Sequence, residues 1–430
     1  VQPEVNFRSP HLVDMMFRDV RNDPHVVSVR TTIDLPLQES ISWLVKGHLK
    51  SLQKKNVSNA AIVIIENASM EIAALLGSTD YFNPETNGQV NGALALRQPG
   101  SSIKPFTYGV ALEGRFTTSD LLADIPTHIP DDRGDYIPEN YDRRYHGPVR
   151  LRTALACSYN VTAVRVLKEI GKDNLLQRLI AAGLTTLTEP SAFYGYGLTL
   201  GNGEVRLLEL TQAYAALANG GVWRPARTIR ELTLSGGMTI PFSSSQPARR
   251  IFDEQVTFLL TDILRDPSAR KPAFGNAFRF PFPCAVKTGT TKDYRDNWTL
   301  GYTRMYTVGV WVGNFDGSPM RGVSGITGAG QIFYDIMSLL HSRSDSEYPG
   351  DFPVPTGVIQ RSVCSRSGKL PNEYCRNTIR EWFRSGNLPR ETCDGKDNDC
   401  DGEVDDLTCL CVLGETRSCG SNIGECVAGP

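Results

Sequence analysis

At 430 residues the chain is long enough for one large catalytic domain with small appendages, or for two to three average domains. With 40% hydrophobic residues, 21% charged residues and a formal net charge of -2, it is not a wholly disordered chain, and no basic stripe marks a nucleic-acid partner. No apolar run approaches the roughly 18–20 residues that a bilayer span needs; there is no signal peptide, and a start at Val1-Gln2-Pro3-Glu4 reads as a fragment.

In chain order, residues 1–58 are polar and mixed, but a helical pattern runs over about 37–52, with Ile41, Leu44, Val45, Leu49 and Leu52 on one face. Two strand-like runs follow, 60–65 and 72–76, joined by the short polar link Glu66-Asn67-Ala68-Ser69 of a hairpin. After Gln98-Pro99-Gly100-Ser101 an apolar helical pattern starts. Residues 117–150 are rich in Pro, Asp and Arg and read as an irregular excursion. Helical patterns resume over 151–156, 161–170, 175–182 and 207–218, the last ended by Asn219-Gly220-Gly221, and another spans 253–264. Strand-like runs return at 284–287, 298–302 and 306–312. Strands at both ends with helices between them predict a mixed α/β or α+β layered domain, its two early strands pairing with the three late ones. Beyond Leu340 a charged, Pro-rich linker begins, and residues 363–430 are Cys-rich and poor in apolar residues.

Three short motifs carry chemistry. Ser101-Ser102-Ile103-Lys104 sets a hydroxyl and an amine three residues apart, which meet on one face if Ser101 opens a helix. Pro99-Gly100 is a turn entry, and Pro105 is tolerated in a first turn. Serine needs an adjacent base, and lysine is one only when burial and a neighbouring cation lower its pKa. By chance about one Ser-x-x-Lys is expected in a chain this long; Ser51-Leu52-Gln53-Lys54 is a second, which lacks the Pro-Gly entry and reads as a solvated helix end. Ser158-Tyr159-Asn160 places a hydroxyl and an amide just before a helix, where the plain alternative is N-capping; Ser385-Gly386-Asn387 repeats the pattern in a loop. Lys287-Thr288-Gly289-Thr290-Thr291 ends a strand-like run and occurs once; its glycine lets a peptide lie against the strand, and its lysine and hydroxyls suit an anionic group such as a C-terminal carboxylate.

The order Ser-x-x-Lys, Ser-x-Asn, Lys-Thr-Gly is that of penicillin-binding proteins and class A β-lactamases. With Tyr214-Ala215-Ala216-Leu217-Ala218-Asn219-Gly220-Gly221, Arg295-Asp296-Asn297-Trp298 and Gly309-Val310-Trp311-Val312-Gly313, residues 59–340 resemble the transpeptidase domain of class A penicillin-binding proteins, and the Arg-Asp-x-Trp run resembles the 1C type. The resemblance implies a β-lactamase/transpeptidase-like fold, an antiparallel five-stranded sheet flanked by helices. It implies a serine D,D-transpeptidase that cross-links peptidoglycan stem peptides ending in D-Ala-D-Ala, is acylated by β-lactams, and needs no cofactor for catalysis. Ser101 would attack the penultimate D-alanine carbonyl and Lys104 would take its proton. Ser158 would relay a proton to the leaving amine, Asn160 would hold the substrate amide and Lys104, and Lys287 would supply positive potential. Thr288, Gly289 and Thr290 would bind the substrate, the two threonines at its carboxylate. The family also implies an extracytoplasmic, periplasmic location, with an inner-membrane anchor and an N-terminal glycosyltransferase domain, neither of which is in this sequence.

The division read from the sequence is a linker or pedestal over 1–58, the transpeptidase domain over 59–345, a linker with Cys364 and Cys375 over 346–392, and a Cys/Asp-rich segment over 393–430. Six of the ten cysteines fall in the last 40 residues, without a Cys-x-x-Cys pair, which favours disulfides over zinc. Cys364 and Cys375 are a further candidate pair; Cys157 and Cys284 read as buried free thiols. Asp397, Asp399, Asp401 and Asp405 alternate like the start of a calcium loop, which favours a structural calcium there, although Thr408 stands where a bidentate Glu belongs; a solvated acidic linker is the plain alternative. Two other functions compete: a D,D-carboxypeptidase or β-lactamase, for which Glu189 is the best-placed water activator, and a non-catalytic peptidoglycan-binding module that kept the fold.

Overall fold

The computed structural model describes residues 7–20, 23–131, 134–242, 246–343, 350–371 and 375–389. Its centre is an antiparallel sheet of five strands: β1 (Asn59–Glu66), β2 (Glu71–Leu76), β3 (Ala285–Thr290), β4 (Asp296–Tyr302) and β5 (Tyr306–Gly313), in the spatial order β3-β4-β5-β1-β2. The early hairpin therefore completes the late meander, the pairing expected from the sequence. β1 and β5 meet over eight residue pairs, from Tyr306 opposite Glu66 to Gly313 opposite Asn59.

The run Ala60-Ala61-Ile62-Val63-Ile64-Ile65 is apolar without interruption because both faces of the sheet are covered. Ala61, Val63 and Ile65 point with Trp298, Leu300 and Trp311 into the larger core, which includes side chains of the helices α2 (Lys104–Glu113), α4 (Leu207–Ala218) and α5 (Glu254–Arg265). Ala60, Ile62 and Ile64 point with Val308, Val310 and Val312 into the second core, against α1 (Leu35–Leu52) and α6 (Gln331–Ser342). Each such Val, Leu or Ile, fully buried, stabilises by about 1.5–3 kcal/mol. Helix α3 (Asn160–Ile170) packs on α2 on the side of the larger core.

Two spans of the sequence division hold regular structure. Within the span read as a linker or pedestal, Leu37, Ile41, Val45 and Leu49 of α1 are buried in the second core, and Val26–Thr31 pairs with Ile229–Leu234. The segment read as a linker over 346–392 contains a hairpin, Val358–Cys364 with Thr378–Arg384. Val358, Val363 and Phe383 of the hairpin are buried, and polar contacts also seat it. Glu381 accepts two bonds from Arg152 Nε at 2.8 and 2.9 Å, Thr118 donates to the Trp382 carbonyl at 2.8 Å, and Ser119 donates to the Gly368 carbonyl at 2.6 Å. Trp382 adds an edge-on contact with Phe258. Cys364 and Cys375 are disulfide-bonded, and Cys157 and Cys284 are buried free thiols. Helix α6 lacked a start signal: Gly328-Ala329-Gly330 precede it and no side chain caps it. The tail cysteines and the residues Asp397, Asp399, Asp401 and Asp405 lie outside the described residues. No helix among the described residues is long and apolar enough to cross a membrane.

Candidate active site

Ser101 sits in a 3₁₀ turn, Gly100–Ile103, that runs into α2, rather than in the α-helix itself. Pro105 has no N–H to give, so the first turn tightens and the Lys104 N–H closes on the Ser101 carbonyl. Several groups pin this turn. Ser102 Oγ donates to the Pro99 carbonyl at 2.7 Å, Tyr214 OH to the Ser102 carbonyl at 2.6 Å, and Trp298 Nε1 to the Gln98 carbonyl at 2.7 Å. The turn lies directly on β3. At Gly289 a Cβ would stand 2.3 Å from the Pro99 oxygen, so only glycine fits. Gly201, at φ +74, lies under Gly100, where a Cβ would come within 2.3 Å of the Gly100 oxygen. The half-buried Ser101 hydroxyl has no hydrogen-bond partner among the described residues.

Ser158 joins the helix Leu151–Ala156 to α3 with φ +63, a left-handed conformation that costs a non-glycine residue energy and is found where surrounding structure enforces it. The result is a hydroxyl between two lysines: Lys287 Nζ lies 2.7 Å from Ser158 Oγ, and Lys104 Nζ 3.4 Å from it. Lys104 also donates to the carbonyls of Ser158 at 2.5 Å and Tyr159 at 3.1 Å, and to Asn160 Oδ1 at 2.7 Å. Burial, then the neighbouring Lys287 charge, drives the Lys104 amine well below its ordinary pKa, against an opposing pull from Asp124. Burial brings Lys287 down to about 7. Thus Lys104, Ser158, Asn160 and Lys287 form one constellation, with Ser101 one turn before Lys104. Thr288 is nearly buried, and Thr290 Oγ1 accepts the Gly325 N–H at 3.0 Å while keeping its own hydrogen for a ligand.

N-capping does not explain Ser158 or Asn160. The residue before α3, Tyr159, makes no side-chain cap. The cap comes from Asn140, whose Oδ1 accepts from the N–H groups of Asn160 at 2.8 Å and Val161 at 3.2 Å. Asn140 Nδ2 in turn donates to both oxygens of the fully buried Asp124 at 2.8 Å. His146 Nδ1 lies 2.6 Å from Asp124, and its ring stacks on Tyr159 at 4.1 Å. Asp124, Asn140 and His146 come from the stretch read as an irregular excursion. Its ends pair as Leu121–Asp124 with Gly147–Arg150, which brings these three residues under the Ser158 turn. Sequence reasoning missed all three, and Gly201. The trace available was Pro138-Glu139-Asn140, a turn-like run that spacing alone does not connect to position 160.

The model of the penicillin-binding protein transpeptidase domain matches residues 60–338. The chain belongs to this family. A second family model, the C-terminal domain of penicillin-binding protein 1A, matches residues 354–397 and so takes in the hairpin. The chain is 29% identical over 384 residues to penicillin-binding protein 1C of Escherichia coli (strain K12), covering 88% of this chain and 47% of that one. It is 32% identical over 341 residues to penicillin-binding protein 1A of Aquifex aeolicus (strain VF5), covering 77% and 44%. It therefore spans about half the length of these curated relatives. Among solved structures, penicillin-binding protein 1A from Haemophilus influenzae aligns with TM-score 0.76 at 20% identity, over 90% of this chain and 77% of that one. PonA1 from Mycobacterium tuberculosis in complex with penicillin V aligns with TM-score 0.65 at 22% identity, over 80% and 96%. As a member of the penicillin-binding family, the chain has the transpeptidase fold, with the antiparallel sheet and flanking helices described above. Among the described residues no group of three or more His, Cys, Asp or Glu side chains is placed to hold a metal.

Proposed function

We propose that the chain is a serine D,D-transpeptidase acting on peptidoglycan stem peptides that end in D-Ala-D-Ala, and that β-lactams acylate it at Ser101. The observation that carries this reading is the Ser158 hydroxyl held between Lys104 and Lys287 beside the Ser101 turn. Ser101 Oγ attacks the penultimate D-alanine carbonyl and gives its proton to neutral Lys104. The tetrahedral oxyanion lies near the backbones of Ser101 and Thr290, which the Gly100 turn brings close together. Collapse breaks the C–N bond, and the proton passes through Ser158 to the departing D-alanine amine. An amine of a second stem then attacks the acyl-enzyme, forming the cross-link and returning Ser101 its proton. Asn160 holds Lys104 through Oδ1 and has one N–H beyond its bond to the Glu139 carbonyl for the substrate amide. Lys287, Thr288 and Thr290 face the substrate carboxylate.

The β-lactamase alternative lacks support, since Glu189 is exposed and its carboxylate bonds nothing among the described residues. The complex of PonA1 with penicillin V supports β-lactams as ligands. The Cys364–Cys375 disulfide supports an oxidising, extracytoplasmic compartment. The test is to incubate the chain with a pentapeptide stem ending in D-Ala-D-Ala and an amine acceptor. Released D-alanine with a matching amount of amide-linked dimer supports the reading. Release with hydrolysed peptide alone makes the chain a carboxypeptidase, and no release makes it a binding module.

A further inference from the structure

Acylation requires the Lys104 amine to change charge in a place that opposes the change. When the Ser101 O–H bond breaks and an N–H bond forms on Lys104, a positive charge appears on a fully buried side chain that already faces Lys287. The atoms in contact with this amine are neutral: the carbonyls of Ser158 and Tyr159, Ser158 Oγ and Asn160 Oδ1. Dipoles alone offset little of the desolvation of an ion, and a counter-charge within reach offsets more. Asp124 is such a charge. It is wholly buried at the end of the strand Leu121–Asp124, opposite Gly147, which sets His146 beside it. Its carboxylate accepts from Asn140 Nδ2 at 2.8 Å on both oxygens and from the His146 N–H at 3.0 Å, and His146 Nδ1 lies 2.6 Å away. Donors on every side suit an ionised, acceptor-only carboxylate.

Two chains of contacts join Asp124 to Lys104. In one, Asn140 bonds Asp124 through Nδ2 and accepts the Asn160 N–H at 2.8 Å, while Asn160 Oδ1 accepts from Lys104 at 2.7 Å. In the other, the His146 ring stacks on Tyr159 at 4.1 Å, and the Tyr159 carbonyl accepts from Lys104 at 3.1 Å. His146 is fixed at its second nitrogen as well, 3.1 Å from Asp142. We propose that Asp124 is a positioning residue of the reaction: it is the buried counter-charge for the ammonium that forms on Lys104 when Ser101 gives up its proton, and His146 holds it there. This rests on the transpeptidase reading above. The charged and titratable groups that act on Lys104 are Lys287 and Asp124, and Asp124 pulls its pKa up against burial and Lys287. Those that face Asp124 are His146, Lys104 and the phenols of Tyr108 and Tyr159; Asp142 and Cys157 act one step further out, on Tyr159. Asp124 therefore has two opposed effects. It makes the neutral amine scarcer at low pH, and it makes proton transfer to that amine easier once it is neutral.

The test follows the Lys104 amine by NMR in the whole chain carrying carbon-labelled lysine, its signal assigned by loss in Lys104→Ala. Asp124→Asn is expected to lower the Lys104 titration midpoint by about 0.5–1 pH unit relative to the wild type. In the same variant the acid limb of the penicillin acylation rate is expected to move to lower pH, while the plateau rate falls by about three- to tenfold. A residue that only shaped the Ser158 turn would lower the rate at every pH and leave the limb in place. If Asp124→Asn does not fold, His146→Phe serves instead, since the His146 side chain is 26% exposed. It keeps a ring on Tyr159 but removes the bonds to Asp124 and Asp142, leaving both charges less screened, and the Lys104 midpoint is expected to rise. An unchanged midpoint, or a shift of the opposite sign in either variant, overturns the proposal. Fluorescent penicillin labelling of the wild-type chain separates the two readings. Labelling with an unmoved midpoint removes the role of Asp124 alone, whereas a moved midpoint without labelling removes the transpeptidase reading and leaves Asp124 paired with Lys104.

Discussion

Two Ser-x-x-Lys turns in one chain show how little the spacing decides. Ser51 and Lys54 stand at the exposed end of α1, where Ser51 Oγ donates back to the His48 carbonyl at 2.6 Å and Lys54 is in solvent. Ser101 and Lys104 have the same separation, but Lys104 is fully buried, ringed by carbonyl oxygens and faced by a second lysine. Burial and the charge of Lys287 favour the neutral form of the Lys104 amine. The difference is made by residues far away in sequence, at positions 158–160 and 287.

The comparison can be broken at several points. The largest expected effect is at Lys104. Lys104→Ala removes the proposed base, and penicillin acylation should slow by about 10²–10⁴-fold, while Lys54→Ala leaves the rate unchanged; stopped-flow or gel labelling rates check both. Next is pH. Acylation requires Lys104 without its proton, so its rate rises as pH rises through the lowered Lys104 pKa. It also requires Lys287 with its proton, so the rate falls as pH rises through about 7. The two lysines titrate as a coupled pair, and a bell-shaped rate profile is expected. Lys287→Met should remove the alkaline limb and move the acid limb to higher pH, because the charge that lowers Lys104 is gone.

A smaller effect is expected at Asn140. Asn140→Ala removes the cap of α3 and two of the bonds to buried Asp124, which should cost about 1–3 kcal/mol of stability. Acylation should slow as the Ser158 turn loosens, and thermal melting read beside acylation rate separates the two losses. Smallest is Ser51→Ala, expected to change stability by less than about 0.5 kcal/mol and labelling not at all.

Much of the fold was legible because its signals are local. Residues 60–65 are apolar at every position, and a strand buried on both faces reads that way. The hydrophobic face of α1 recurs at helical spacing, and Asn219-Gly220-Gly221 ends α4. The hairpin at 358–384 was not legible, because its few buried apolar residues, Val358, Val363 and Phe383, are interrupted by polar ones, and the Arg152–Glu381 pair and the hydroxyls of Thr118 and Ser119 that also seat it come from far away in sequence. Of the candidate site, the side chains that touch one another were visible as motifs. Their supports were not: Asn140 and Asp124 act through a fold of the 117–150 excursion, and Gly201 is required by the approach of another backbone, which leaves no periodic mark.

The most direct measurement is mass-spectrometric mapping of the adduct after brief exposure of the whole chain to benzylpenicillin and proteolysis. A stable penicilloyl group on the peptide containing Ser101, absent from Ser101→Ala, is the expected result. An adduct on the Ser51 peptide, no adduct at all, or penicillin hydrolysed with rapid turnover would contradict the account.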